Sequence, residues 1–162
     1  MKKYSFLSIS ALIAAIYAVV TLLTASFSFG PVQLRLAEAL CFMVYVNPAY
    51  IWSIGIGTLL ANIFSPVGIV DTVIGTAASV LGCLAASKIK NKWLFPVPVI
   101  LVNALMVGWE IAYFYIGDCR AVVLAVSCIQ VAAGEAAVLY FVGLPMLKMI
   151  EKKKLKHNLM DV

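Results

Sequence analysis

Charge is scarce in this chain. Only 12% of its 162 residues are charged, against about a quarter in an ordinary soluble domain. There is too little polar material to cover a globular surface of this size. Histidine is nearly missing as well. The one present, His157, lies among lysines near the end of the sequence, so a metal centre would lack ligands and none is expected. Cys41, Cys83, Cys119 and Cys128 have neither the C-x-x-C spacing of a zinc site nor the density of a disulfide scaffold. They read as small apolar fillers. No G-x-x-x-x-G-K-[ST] occurs, so ATP is not bound or hydrolysed through a P-loop within these residues. Scattered serines and cysteines without a nearby base leave only carboxylates to do chemistry, and an enzyme is not expected.

What the sequence has in excess is apolar length: 64% of it is hydrophobic. Apolar runs fall at about 6–27, 36–46, 49–65, 72–87, 94–116 and 121–147. They predict an all-α integral membrane protein, a bundle of six transmembrane helices forming one domain over 1–162, with a basic tail at 148–162. The first run is too long for the apolar core of a secretory signal. The break at Asn47 and Pro48 is the one that periodicity leaves open, because proline is also tolerated as a kink inside membrane helices.

Charge placement decides between the alternatives. The net charge of +5 comes from ten lysines in three clusters and from Arg35 and Arg120. Lys2 and Lys3 open the chain, Lys88, Lys90 and Lys92 interrupt its middle, and Lys148, Lys152, Lys153, Lys154 and Lys156 occupy the tail. Six crossings put all three clusters on one side, which the positive-inside bias makes the cytoplasmic one. Both termini are then cytoplasmic, and Arg35 and Arg120 fall in outer loops at roughly 28–35 and 117–120, with a third at 66–71. The expected location is the bacterial plasma membrane, with the lipid bilayer as a partner. No basic surface is interleaved with aromatics, so nucleic acid is not expected as a partner.

Small residues recur at four-residue spacing: Ala11 with Ala15 and Ala14 with Ala18 on the first helix, Gly57 with Ala61 on the third, and Ala78, Gly82 and Ala86 on the fourth. Such stripes let helices approach closely, either within the bundle or against a partner subunit.

Acids inside apolar runs need a reason, because a charge at mid-bilayer costs at least ~2.5–3.5 kcal/mol. Asp71 and Asp118 fall in outer loops and are expected to be solvated, whereas Glu38, Glu110 and Glu135 lie within spans. Glu38 follows Arg35 by three residues and could pair with it across one helical turn. Asn103 lies on nearly the same helical face as Glu110, and Trp109 and Tyr113 flank that face. Glu135 sits deeper, where a bond within the bundle is the simpler reading. Together Glu38, Asn62, Asn103 and Glu110 could line an outward-facing pocket walled by Phe42, Tyr45, Trp109 and Tyr113. Aromatic faces there would stack on a flat heterocycle, and a carboxylate would take two parallel N–H bonds or pair with an ammonium.

The stretch from Val32 through Gln33, Arg35, Glu38, Ala39 and Leu40, then Asn62-Ile63-Phe64-Ser65-Pro66 and Asp71 ahead of a Gly-rich fourth helix, resembles the QueT family. Its members are similar to the substrate-binding S components of energy-coupling factor vitamin transporters. The resemblance implies a queuosine precursor as small-molecule substrate, either queuine or an aminomethyl or cyano 7-deazaguanine, bound from outside near Arg35, Glu38 and Glu110. It also implies a transmembrane coupling subunit, met through Ala11, Ala14, Ala15 and Ala18, and two cytoplasmic ATPases. No cofactor is expected on this chain, since ATP is used by those partners. An S component for another vitamin such as riboflavin or thiamine would keep the same fold. An ion-coupled carrier with Glu135 as its proton site is the rival reading, but no match between 1–80 and 81–162 suggests the paired repeats of such carriers.

Overall fold

The computed structural model describes residues 3–30 and 33–152; the tail positions Lys153, Lys154, Lys156 and His157, along with Lys2 and Val32, lie outside the described residues. Helix α1 spans Lys3–Leu23 and is followed by one short turn, α2 (Ala25–Ser28). A tight 3₁₀ segment, Leu36–Cys41, runs directly into α3 (Phe42–Val46). After a 3₁₀ turn at Pro48–Tyr50 come α4 (Ile51–Asn62) and α5 (Ile69–Ala86). Helix α6 (Pro96–Glu110) widens into a π-helical turn at Ile111–Ile116. Helix α7 (Ala121–Val138) widens likewise at Leu139–Gly143 before α8 (Leu144–Lys152) completes the described chain.

The local chemistry explains the breaks. Asn47 is extended (φ −147°, ψ 115°), as the residue before a proline prefers to be. Its side chain accepts a bond from Ala49 N at 3.0 Å, and Pro48 takes the first helical position, where its missing N–H costs nothing. The break left open by periodicity is therefore a helix end. The wide turn at Leu139–Gly143 precedes Pro145, which has no N–H to give and whose ring crowds the carbonyl one turn back. Gly117, at φ 73°, stops α6 in the left-handed conformation that glycine tolerates best.

Contacts fix the direction of each segment. Asp71 at the start of α5 lies 4.0 Å from Arg35, and Asn62 at the end of α4 bonds to the Asp71 carbonyl, so these three mark one end of the bundle. Tyr45 bonds to the Lys90 carbonyl, Lys92 pairs with Glu151 at 3.0 Å, and Lys148 stacks on Trp93, which marks the other end. Leu36–Val46 thus runs from the arginine end to the lysine end, and α4 returns. Four stretches are long and apolar enough to cross a membrane: Phe6–Leu23, Ile69–Ala86, Pro96–Ile116 and Ala121–Lys152. Leu36–Val46 is a shorter apolar helix. Large apolar side chains such as Leu23, Trp52, Ile69 and Phe141 point outward, where lipid rather than water can receive them.

The interior is packed from Tyr17, Phe42, Tyr50, Ile54, Phe95, Leu139 and Leu147, all fully buried. Most of the small-residue stripes serve this packing. A Cβ on Gly57 would stand 2.7 Å from Tyr17 Cβ and 2.9 Å from the Ala14 carbonyl, so α1 and α4 touch backbone to backbone there. Ala78 and Ala86 are fully buried, and a Cβ on Gly82 would come 3.1 Å from Val99 Cα on α6. The four alanines expected to form one partner face divide: Ala14 and Ala18 turn into the bundle, while Ala11 and Ala15 are exposed.

Candidate functional site

Five charged residues are buried among the described ones, Arg35, Glu38, Asp71, Glu110 and Glu135, each no more than 5% exposed. Four are acids and one is a base. They come from different elements and group along the bundle interior in two layers.

The deeper layer centres on Glu38, in the 3₁₀ segment. Tyr17 of α1 donates its hydroxyl to Glu38 Oε1 at 2.5 Å, Ser79 of α5 donates to the same oxygen at 2.9 Å, and the Cys41 thiol donates to Oε2 at 2.9 Å. The expected pairing of Glu38 with Arg35 across one turn is not what forms. The tight 3₁₀ winding turns the carboxylate inward to these three donors, and Arg35 reaches Asp71 instead. Glu135 of α7 feels the charges of Glu38 and Arg35, and its Oε2 has no hydrogen-bond partner.

The second layer lies at the arginine end. Arg35 donates to Gln33 Oε1 at 3.2 Å and its guanidinium sits 5.5 Å from the centre of the Phe29 ring. Gln33 holds the left-handed conformation (φ 50°), a strained state for a residue with a side chain. Asp71 was expected in a solvated loop; it is instead 1% exposed, because α5 begins at Ile69 and carries it into the bundle within its first turn. Gly75, one turn on, makes the space: a Cβ there would stand 2.6 Å from Asp71 Oδ1 and 2.7 Å from Asn62 Nδ2. Glu110 of α6 feels the charges of Asp71 and Arg35, is 2% exposed, and has no partner on either oxygen. Asn103 is also buried, with its Nδ2 unpartnered.

Not all the expected walls join this group. Phe42 and Tyr45 pack on Phe95, at 5.1 and 5.5 Å between ring centres. Phe95 precedes α6 whereas Glu110 ends it, roughly 22 Å further along the helix. Trp109 and Tyr113 stack on each other at 5.6 Å but are about half exposed, on the outward side of the helix that carries Glu110 inward. Asp118 stays at the surface, where two hydrogen bonds from Arg120 hold its carboxyl below the usual range. Asp71, Tyr17 and Ser79 were missed as site residues. The four-residue spacing of Asp71 and Gly75 was the available signal for the first; nothing in sequence marks the other two.

A family model described as QueT transporter matches residues 7–152. The chain belongs to the QueT transporter family. A curated relative, the "Queuosine precursor transporter QueT" of Lactococcus lactis subsp. cremoris (strain MG1363), is 30% identical over 100 residues. That stretch covers 58% of this chain and 58% of the relative, so a little over half the length of each is matched. No solved structure matches the chain. The QueT assignment accounts for a transporter with helices able to cross a membrane, and a small cavity of about 10 Å³ lies at the arginine end of this QueT member, between Phe29, Gly30, Gln33, Val67, Ile111 and Tyr115. That volume suits one water at most.

Proposed function

We propose that this chain is the substrate-binding component of an energy-coupling factor importer, and that it binds a queuosine precursor at the arginine end of its bundle. The observation that carries the reading is the buried group of Arg35, Asp71, Asn62 and Glu110 inside a QueT family member. Acids with unmet acceptor oxygens, enclosed by helices able to cross a membrane, suit a small guest rich in N–H donors. A 7-deazaguanine offers adjacent N–H groups on its ring edge, and the relative in Lactococcus lactis is named for that class of substrate. Glu38 is held by three donors of its own and acts as the floor beneath the guest rather than as a direct contact.

In this reading the chain crosses the bacterial plasma membrane six times, with the short segment Leu36–Val46 mostly buried inside the bundle and α4 packed at its edge beside α1. The lysine end faces the cytoplasm, as the positive-inside bias requires. Uptake is driven by a separate module of a transmembrane coupling subunit and two ATPases. Its docking face on this chain is the groove of about 430 Å³ between α1 and α4, lined by Ala11, Ala14, Ala15 and Trp52 among others.

The test is uptake of labelled 7-deazaguanines by cells expressing this chain with an energy-coupling module. Accumulation that needs both the chain and the module is expected. Accumulation with the chain alone would favour an ion-coupled carrier, and none with either would remove the substrate.

A further inference from the structure

We infer that Asp71 and Glu110 form a cation-selective clamp for the amine attached at ring position 7 of the deazaguanine, so that the chain takes the aminomethyl precursor and queuine and rejects the neutral cyano precursor. This rests on the deazaguanine reading above and says which members of that class fit.

The first ground is charge. At the arginine end two acids, Asp71 and Glu110, face one base, and Arg35 is the only buried base among the described residues. Ionising both acids would leave one negative charge unmatched in a site walled off from water. A buried charge without a partner is strongly unfavourable, so the site is most stable when a guest brings one positive charge. A neutral guest brings nothing to offset that second ionisation.

The second ground is the pattern of unmet hydrogen bonds. Both oxygens of Asp71, both of Glu110 and the side-chain oxygen of Asn62 lack partners. Arg35 does not saturate them: it lies 4.0 Å from Asp71 Oδ1, and its Nη2 already bonds to Gln33. All five atoms can accept, whereas the unmet donors of this layer are Arg35 Nε and Asn103 Nδ2. A protonated amine carries N–H donors and no acceptor, which is the complement of such a cluster. The ring carbonyl of the guest is the natural acceptor for Arg35 Nε. Gly75 is part of the device, because any side chain there would overlap both Asp71 Oδ1 and Asn62 Nδ2 and push the carboxylate out of the group. The aminomethyl precursor and queuine both carry a basic amine on the carbon attached to ring position 7, and the cyano precursor carries a nitrile in its place.

The test is calorimetric titration of the purified full chain in lipid nanodiscs with the aminomethyl precursor, queuine, the cyano precursor and guanine. In the wild type the two amines should bind at least about tenfold more tightly than the nitrile, the size expected of a charge-assisted hydrogen bond. Asp71→Asn should weaken the amines by about tenfold while leaving the nitrile nearly unchanged, so that the preference collapses. The wild-type ratio decides the matter even if the variant does not fold. Equal binding of nitrile and amine by the wild type, or equal weakening of both by Asp71→Asn, would overturn the clamp and leave the deazaguanine reading standing. Failure of all four ligands to bind would overturn both.

Discussion

Tyr17 and Glu38, separated by 21 positions in the chain, meet in the interior through a hydroxyl that donates to a carboxylate oxygen at 2.5 Å. Both are fully buried. This contact joins α1 to the 3₁₀ segment and gives a buried acid one of its hydrogen-bond donors. Tyr17→Phe keeps the ring and removes the donor, so the loss should equal the cost of stripping one partner from a buried carboxylate, about 1–3 kcal/mol. A lowered melting temperature in detergent, with ligand affinity changed little, is the expected result. A large loss of affinity at unchanged stability would instead put Tyr17 against the ligand.

Gly75→Ala should do the opposite. The new methyl would stand 2.6 Å from Asp71 Oδ1, and because the carboxylate can make room only by swinging out of its buried place, overpacking of about 1–3 kcal/mol is expected. Binding of the ligand should fall further than stability does. Thermal melts and titrations on the same sample separate the two effects.

How much of this was legible in the sequence can be judged from particular residues. The lengths and polarity of the apolar runs were enough for an all-helical fold with helices able to cross a membrane, and Asn47-Pro48 marked a true helix end because proline constrains the residue before it. Glu110 and Asn103 were legible as an inward polar face, since seven residues make two helical turns. Asp71 was not, because its burial depends on where α5 begins, and boundary positions are weakly encoded by hydropathy. Nor were the partners of Glu38. Tyr17 and Ser79 lie on other helices, and which helices become neighbours is a tertiary fact that one-helix periodicity does not carry. Phe42 and Tyr45 were misplaced as walls of the same pocket, since the aromatic character that would suit a heterocycle equally suits the core around Phe95.

The α1 and α4 faces give a paired prediction. Gly57→Ala should strain the bundle itself, as the methyl would meet Tyr17 Cβ at 2.7 Å and backbone at 2.9 Å. Ala15→Trp, at an exposed position on the groove beside Trp52, should leave the melting temperature and ligand affinity unchanged and reduce uptake in the presence of the energy-coupling module. Unimpaired uptake by Ala15→Trp would place the docking face elsewhere on the chain.

The most direct measurement of the central claim is equilibrium binding of the purified chain to a panel of 7-deazaguanines, with guanine, riboflavin and thiamine alongside. Saturable one-to-one binding of a deazaguanine, weakened by about tenfold or more in Glu110→Gln without loss of folding, is the predicted result. Binding of riboflavin or thiamine in its place, or deazaguanine binding that Glu110→Gln leaves untouched, would contradict it.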